Sequence, residues 1–266
     1  MQKIVYTDLD GTMIDHHTYS YIDSLDAINL LKKKKIPIII CTSKTRAEIE
    51  KYRISLNIRD PFISENGGAI FIPKNYFKFE YSFDKETSKY KIIEFGTSVE
   101  TLRKILDTIK QQGYRITTFE DMSETQLAKD AGLKKEEAQA AKLREYDEAF
   151  KIRNKKDTEK ITQIITDEGY NHTKGGRYAH IMGQNDKGKA VLILTELFRR
   201  KYKDLGRETK TIGLGDGQND IPMLKEVDIP IIVKNTANPE LDVDFDVKRT
   251  RQNGPKGWSR SVKELI

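Results

Sequence analysis

Three short apolar runs in this chain end abruptly at polar residues, and this pattern restricts the possible folds more than any other feature. The runs cover residues 4–6, 36–41 and 211–214 and are rich in Ile, Val and Leu. Nearly all-apolar runs of this length are typical of strands buried on both faces of a parallel sheet. Segments with helical spacing of apolar residues, such as 22–31 and 190–202, separate them. Alternation of strand and helix predicts right-handed βαβ units.

The chain changes character between residues 83 and 185. Polar predicted helices such as 99–112 alternate there with short mixed segments, and no further apolar parallel strand is apparent. After residue 186 the first pattern resumes. We therefore predict an α/β protein with a Rossmann-like parallel-sheet core formed by residues 1–82 and 186–266. Residues 83–185 are predicted to form an inserted α+β cap domain.

Composition and charge exclude several classes of protein. The single cysteine, Cys41, cannot form an internal disulfide or a cysteine-based zinc site. No apolar stretch approaches the roughly 20 residues that cross a bilayer, and the first residues lack the apolar segment of a signal peptide. We therefore expect a cytoplasmic protein with no membrane partner. The net charge of +6 is spread along the chain among acidic residues, so nucleic acid is not an expected partner.

Carboxylates follow two strands of the predicted sheet. Asp8 and Asp10 follow the first strand, and their spacing would place both on one face if the strand continued. Asp216 follows a later strand, with Asp220 one helical turn beyond it. Clustered carboxylates repel one another unless a cation neutralises them, and Mg²⁺ prefers oxygen ligands beside a phosphate. The sequence therefore predicts a magnesium site at this edge of the sheet.

Groups that suit a bound anion accompany these acids. The backbone N–H groups of Gly11 and Thr12 follow Asp10, and the hydroxyls of Thr42 and Ser43 end the second apolar run. Lys187 lies where the chain returns from the predicted insertion. Each signal alone is common in turns, helix caps or surfaces, but their ordered co-occurrence favours a pocket for a phosphoryl group.

The order of these motifs resembles that of the haloacid-dehalogenase-like phosphatases. The string Asp8-Leu9-Asp10-Gly11-Thr12 is similar to their first motif, and the other three motifs follow in order along nearly the whole chain. These motifs are Thr42-Ser43, Lys187 and residues 215–220. The insertion lies between the second and third motifs, which resembles the Cof-type branch with a C2-type α+β cap.

This resemblance implies a role for each matched residue. Asp8 would be the nucleophile that forms an aspartyl-phosphate, and Asp10 would protonate the leaving alkoxide and then activate water. Thr42 and Lys187 would bind phosphoryl oxygens, with Ser43 as an alternative to Thr42.

The resemblance also implies the metal ligands. Asp8, the backbone carbonyl of Asp10 and Asp216 would hold Mg²⁺, while Asn219 and Asp220 would support that shell. Mn²⁺ and Co²⁺ are left open as alternatives.

The strings at residues 42–46, 64–70, 175–178 and 254–258 resemble those of the mannosyl-3-phosphoglycerate phosphatase family in particular. Its substrate carries a phosphate, a carboxylate and a sugar. Arg177, which follows two glycines, is suited to a bidentate pair with the carboxylate, and Glu65 and Asn66 are suited to sugar hydroxyls. For the nearby His180, packing inside the cap and contact with the ligand both stay open. The candidate substrate-binding residues are Ser43, Lys44, Arg46, Glu65, Asn66, Gly176 and Arg177.

These resemblances imply a Mg²⁺-dependent phosphatase that converts mannosyl-3-phosphoglycerate to mannosylglycerate, a compatible solute, through an aspartyl-phosphate. A glucosyl or mannosylglucosyl substrate fits the same residues. A general sugar phosphatase, a phosphomannomutase-like phosphotransferase and a catalytically silent phosphate-binding module are the alternatives. Two residues, Gly217 and Gln218, depart from the Ser-Pro pair that is more frequent in the family. The expected form is a monomer or homodimer acting on a small phosphorylated glycoside.

Overall fold

The computed structural model describes residues 1–174, 178–236 and 241–266. Its strands are β1 (Gln2–Thr7), β2 (Ile38–Cys41), β3 (Phe62–Ser64), β4 (Ala69–Pro73), β5 (Lys85–Glu86), β6 (Tyr90–Glu94), β7 (Ile116–Thr118), β8 (Asp147–Ile152), β9 (Asn171–Lys174), β10 (Ala179–Met182), β11 (Thr209–Gly215), β12 (Ile229–Lys234) and β13 (Lys248–Asn253). Its helices are α1 (Leu25–Lys33), α2 (Arg46–Ser55), α3 (Val99–Gln111), α4 (Glu124–Ala131), α5 (Lys135–Ala141), α6 (Thr158–Asp167), α7 (Lys187–Lys203), α8 (Ile221–Lys225) and α9 (Gly254–Leu265).

A large sheet forms the centre of the core, with the order β13-β12-β11-β1-β2-β3-β4-β6-β5. β1 pairs in parallel with both β11 and β2, so the three predicted apolar runs are neighbours at its middle. Alternate residues of β1 enter opposite layers of the core. Val5 packs in the layer with α1 and α9, and Tyr6 packs in the layer with α7 and α8.

One edge of this sheet differs from the prediction. β4, β6 and β5 pair antiparallel, and they extend the large sheet beyond β3. Residues 85–94 therefore belong to the large sheet, although we predicted that the insertion starts at residue 83. The pattern of apolar residues did not identify these edge strands, because they are short and about half of their residues are polar. At the other edge, β13 is a strand of mostly charged and exposed residues that the apolar pattern did not indicate.

The inserted segment forms a second sheet with the order β7-β8-β10-β9, and its neighbouring strands are antiparallel. Helices α3 and α6 cover one face, where Phe150 and Ile181 pack with Leu106 and Ile161. A second cluster joins α4 and α5 to Ala149 on the opposite face. This α+β unit is the predicted cap. Among the described residues, no helix combines the length and apolar character needed to cross a membrane.

Side-chain caps determine where the helices near the sheet edge begin. Thr45 and Glu48 form a capping box at the start of α2, and each side chain bonds a backbone N–H of the other. Asp186 caps α7, since its Oδ1 accepts from the N–H of Lys189 at 2.8 Å. The cap fixes Lys187 as the first residue of α7, directly below the ends of β1 and β11.

Substitution of Trp258 tests how strongly α9 stabilises this sheet. Its side chain is fully buried, and the indole Nε1 donates to Thr7 Oγ1 at 2.9 Å. We expect Trp258→Phe to lower the free energy of unfolding by about 1–3 kcal/mol, since it removes this bond and leaves a small cavity. Urea unfolding followed by circular dichroism measures the change. Ile54→Ala, at a position 79% exposed, is the control and should change it by less than about 0.5 kcal/mol. Equal effects at both positions would contradict this account of α9.

Candidate active site

The carboxyl ends of β1 and β11 bring three buried aspartates together. Asp8 directly follows β1, Asp216 directly follows β11, and Asp220 ends the short turn after it. Each contributes one carboxylate oxygen to a cluster whose atoms all lie within 4.8 Å of one another. The parallel register of β1 and β11 produces this meeting, because it ends both strands at the same edge of the sheet.

Lys187 supplies positive charge to this cluster. Its Nζ lies 2.8 Å from Asp8 Oδ1 and 2.6 Å from Asp220 Oδ1, and its side chain is fully buried. Burial by itself lowers the pKa of Lys187, but the carboxylates of Asp220 and Asp8 outweigh burial and raise the pKa above its ordinary value. The side chain is therefore an ammonium ion at neutral pH, which suits contact with a phosphoryl group.

One ammonium ion does not neutralise three carboxylates. Burial, followed by the charges of Asp220 and Asp8, raises the pKa of Asp216 to about 8. Burial also raises the pKa of Asp220 to about 6. These shifts express the cost of crowding negative charges in a buried site, and a divalent cation would relieve that cost.

Neighbouring groups hold the two later aspartates in place. Thr12 Oγ1 and Asn235 Nδ2 each donate to Asp216 at 2.7 Å, one to each oxygen. Asp220 Oδ2 accepts from the backbone N–H groups of Asp216 and Gly217, both at 2.9 Å. The oxygen-rich, rigidly held donor set fits a hard cation such as Mg²⁺.

Asp10 lies beside this cluster and has a separate partner. Its Oδ2 is 3.0 Å from Lys44 Nζ, while its buried Oδ1 has no hydrogen-bond partner among the described residues. Burial raises the pKa of Asp10, and this effect exceeds the lowering by Lys44. An unpartnered carboxyl oxygen with a raised pKa is suited to donating a proton. The side chain of Asp10 is not part of the three-aspartate cluster in this structure.

The second motif lies at the end of β2. Thr42 is buried, and its Oγ1 is 3.4 Å from the backbone N of Lys44. The carbonyl of Ser43 accepts from the Arg144 guanidinium of the cap at 2.9 Å. Lys44 Nζ lies 3.2 Å from Glu48 in addition to its contact with Asp10. Lys44 is therefore a buried neighbour of the predicted acid rather than a free surface cation.

Two predicted substrate-binding residues join the core to the cap instead. Arg46 Nε donates to Glu145 Oε1 at 2.9 Å. The fully buried carboxylate of Glu65 accepts the backbone N–H groups of residues 145–147 at 2.7–3.1 Å. Glu65 thus directs both carboxylate oxygens to the cap backbone rather than to sugar hydroxyls, and Arg46 directs its Nε to Glu145. The sequence did not indicate this role, because the partners come from a segment 80 or more positions away.

Asn66 links the cap to the fourth motif. Its Nδ2 donates to Asp147 Oδ2 at 2.8 Å, and its Oδ1 accepts from Asn219 Nδ2 at 3.0 Å. Its carbonyl accepts from Asn185 Nδ2 at 3.2 Å. Asn219, which we predicted to support the metal ligands, thus lies at the site, and its amide nitrogen donates to Asn66. Gly176 and Arg177, the other predicted substrate-binding residues, lie outside the described residues.

Sequence reasoning missed several site residues. Asn235 follows the apolar run of β12, so the rule that identified Thr42 and Asp216 would also have identified it. Arg144 and Asp147 carry no such signal, because they lie in the cap away from any apolar run that ends at the site. His180 was named from the sequence, with packing and ligand contact both left open.

The sequence profile of the haloacid dehalogenase-like hydrolase family matches residues 5–243. This chain belongs to the haloacid dehalogenase-like hydrolases. The predicted parallel-sheet core with an inserted α+β cap is therefore confirmed for this hydrolase.

Relatives and solved structures match the hydrolase over most of its length. The glucosyl-3-phosphoglycerate/mannosyl-3-phosphoglycerate phosphatase of Methanococcoides burtonii is 49% identical, over 100% of this chain and 98% of the relative. The mannosyl-3-phosphoglycerate phosphatase of Pyrococcus furiosus is 35% identical, over 88% of this chain and 91% of the relative. A crystal structure from Thermoplasma acidophilum shares the fold, with a TM-score of 0.71, 19% identity and full coverage of both chains.

Substitution of Gly11 tests whether its backbone must lie close to the aspartate cluster. Its φ is +77°, and an added Cβ would lie 2.3 Å from Asn235 Nδ2 and 2.7 Å from Asp216 Oδ2. Gly11→Ala should therefore displace Asp216 and weaken Mg²⁺ binding by roughly tenfold or more. Isothermal titration calorimetry measures the change in Mg²⁺ affinity.

Gly113→Ala is the matched control for this substitution. Gly113 also has a positive φ, +89°, but no atom lies within 4 Å of an added Cβ. This variant should bear the backbone strain and leave Mg²⁺ affinity unchanged. Unaltered Mg²⁺ affinity in Gly11→Ala would contradict the proposed metal site.

Proposed function

We propose that this hydrolase is a Mg²⁺-dependent phosphatase acting on a glycosyl-3-phosphoglycerate. The expected substrate is mannosyl-3-phosphoglycerate, which yields mannosylglycerate and phosphate. The observation that carries the proposal is the buried cluster of Asp8, Asp216 and Asp220 around Lys187. The names of relatives 35–49% identical over most of the chain support this substrate class. Glucosyl and mannosylglucosyl substrates, and a general sugar phosphatase, are the alternatives.

Asp8 is the proposed nucleophile. Lys187 contacts its Oδ1, which leaves Oδ2 to attack phosphorus. The attack forms an Oδ2–P bond and breaks the bond between phosphorus and the glycerate oxygen. The product of this step is an aspartyl-phosphate and a released glycoside.

Asp10 is the proposed acid and base. Protonated, it gives its proton to the departing glycerate oxygen, which would otherwise leave as a poor alkoxide. As a carboxylate it then takes a proton from the water that attacks the aspartyl-phosphate. Phosphate leaves, and Asp8 and Asp10 return to their first states.

The residues around the cluster suit a divalent cation. Asp8, Asp216 and the backbone carbonyl of Asp10 would hold Mg²⁺, with Asn219 and Asp220 beside them. Mn²⁺ and Co²⁺ are the alternative cations. When bound, the cation neutralises negative charge on the carboxylates and on the phosphoryl group.

The phosphoryl oxygens meet further donors from the chain itself. Lys187 and the hydroxyl of Thr42 or Ser43 are the proposed contacts. The backbone N–H groups of Gly11 and Thr12, which we also predicted, donate instead to the carbonyls of Ile14 and Leu9 at 2.9 and 3.1 Å. Arg177 is the proposed partner of the glycerate carboxylate on sequence grounds. The contacts of Arg46 and Glu65 make them supports of the cap in this proposal.

A substrate panel tests the proposed function. With Mg²⁺, release of phosphate from mannosyl- or glucosyl-3-phosphoglycerate should have a kcat/KM roughly 100-fold above that for hexose, trehalose or sucrose phosphates, because several added contacts stabilise the transition state. Chelation of the cation should abolish turnover, and Asp8→Asn should be inactive while remaining folded. Equal kcat/KM values across the panel would favour the general sugar phosphatase, and turnover by Asp8→Asn would remove Asp8 as nucleophile.

The role of Asp10 depends on the leaving group. The nitrophenolate of 4-nitrophenyl phosphate leaves without a proton, whereas a glycerate alkoxide requires one. Asp10→Asn should therefore retain a rapid burst of nitrophenolate but lose about 10²–10⁴-fold in single-turnover cleavage of glycosyl-3-phosphoglycerate. Stopped-flow absorbance measures the burst of nitrophenolate, and quenched-flow analysis of the released glycoside measures the cleavage step. If both rates fall by the same factor, Asp10 is not the acid that protonates the leaving group.

A further inference from the structure

Two polar residues of the cap form a buried pair that the proposed chemistry does not use. His180 Nδ1 lies 3.0 Å from Asp147 Oδ2, and both residues are buried. Cross-strand register pairs His180 with Ala149 and Met182 with Asp147. Because paired and alternate residues share a face of a sheet, Asp147 and His180 lie on the face opposite Phe150 and Ile181. The pair is therefore on the side not covered by α3 and α6.

This face, part of which α4 and α5 cover at Ala149, meets the core at the catalytic motifs. Asp147 accepts from Asn66, which in turn accepts from Asn219, so two hydrogen bonds lead from the pair to the fourth motif. Strand β9, which neighbours His180 in the sheet, contacts the turn at residues 218–220. The pair thus lies where a substrate with its phosphate at Asp8 would extend into the cap.

The partners of Asp147 keep its carboxylate ionised. Arg144 donates to it, and burial alone would raise its pKa, but the positive charge of Arg144 and the hydrogen bonds from His180 and Asn66 hold the pKa below its ordinary value. An ionised carboxylate is an acceptor only, so His180 carries its hydrogen on Nδ1. Nε2 then presents a lone pair in the neutral ring, and it makes no hydrogen bond within the described part of the chain.

We propose that His180 Nε2 accepts a hydrogen bond from a hydroxyl of the substrate's sugar, and that Asp147 is the positioning residue that fixes the ring. The inference rests on the proposed function and names a determinant of its specificity. A sugar hydroxyl supplies the donor that this tautomer requires, whereas a phosphate or carboxylate supplies only acceptors.

The test compares substrates with and without the sugar. His180→Ala should lower kcat/KM for mannosyl-3-phosphoglycerate about tenfold and leave that for 4-nitrophenyl phosphate unchanged. His172→Ala is the matched control, because His172 is exposed on β9 and pairs with Ile181 on the opposite face. It should change neither value.

Deoxy analogues of the sugar identify the hydroxyl. Wild-type enzyme should lose about the same tenfold with one monodeoxy-mannosyl substrate, and His180→Ala should lose nothing further with that substrate. Equal loss of both substrates in His180→Ala, or additive losses with every deoxy analogue, would overturn the proposal. Failure of the proposed function would appear instead in the wild-type enzyme, as absence of any preference for glycosyl phosphoglycerates.

The positioning role of Asp147 has its own readout. Nitrogen-15 spectra of histidine-labelled protein, which contains four histidines, report the tautomer of His180. We expect hydrogen on Nδ1 in wild-type enzyme and a mixture of tautomers in Asp147→Asn, whose amide can also donate. Hydrogen on Nε2 in the wild-type enzyme would overturn the proposed acceptor role, whatever the stability of the variant.

Discussion

The mutual repulsion of three buried carboxylates is the constraint around which the site is organised. Asp8, Asp216 and Asp220 meet because two parallel strands end at one edge of the sheet. Burial and the neighbouring negative charges raise the pKa values of Asp216 and Asp220. Lys187 compensates part of this charge, and hydrogen bonds from Thr12 and Asn235 hold Asp216 in place. The remaining negative charge suits a divalent cation.

A second polar network connects this site to the cap. Glu65 binds the backbone where the chain enters β8, and Asn66 bridges Asp147 of the cap to Asn219 of the core. Both residues have positive φ although neither is glycine, so the surrounding contacts must offset local backbone strain. Because these hydrogen bonds are buried, removing one partner leaves the other unsatisfied, which is costly. The network therefore fixes the position of the cap relative to the catalytic motifs.

A single local signal predicted which polar residues follow the strands of the parallel sheet. Asp8, Thr42 and Asp216 each follow an apolar run, and parallel pairing of those runs brings them to the same edge. Predictions for Arg46 and Glu65 rested on residue type alone, and the structure pairs both with the cap segment near residue 145. The start of the insertion was placed too early, since β5 and β6 complete the large sheet. β6 is stabilised by pairing with β4, and β5 by pairing with β6; no local sequence pattern indicates such pairing.

The amino-acid sequence alone determined the family, the parallel core, the interrupted topology and the acidic motifs. Each of these features depends on short contiguous segments of the chain. The tertiary structure alone decided which polar side chains are partners. Lys187 reaches Asp8 across 179 positions, and Asn66 reaches Asn219 across 153. Hydrogen bonds and ion pairs act over a few ångströms in space, regardless of separation along the chain. Only the folded arrangement therefore distinguishes the side chains that complete the phosphate site from those that hold the cap.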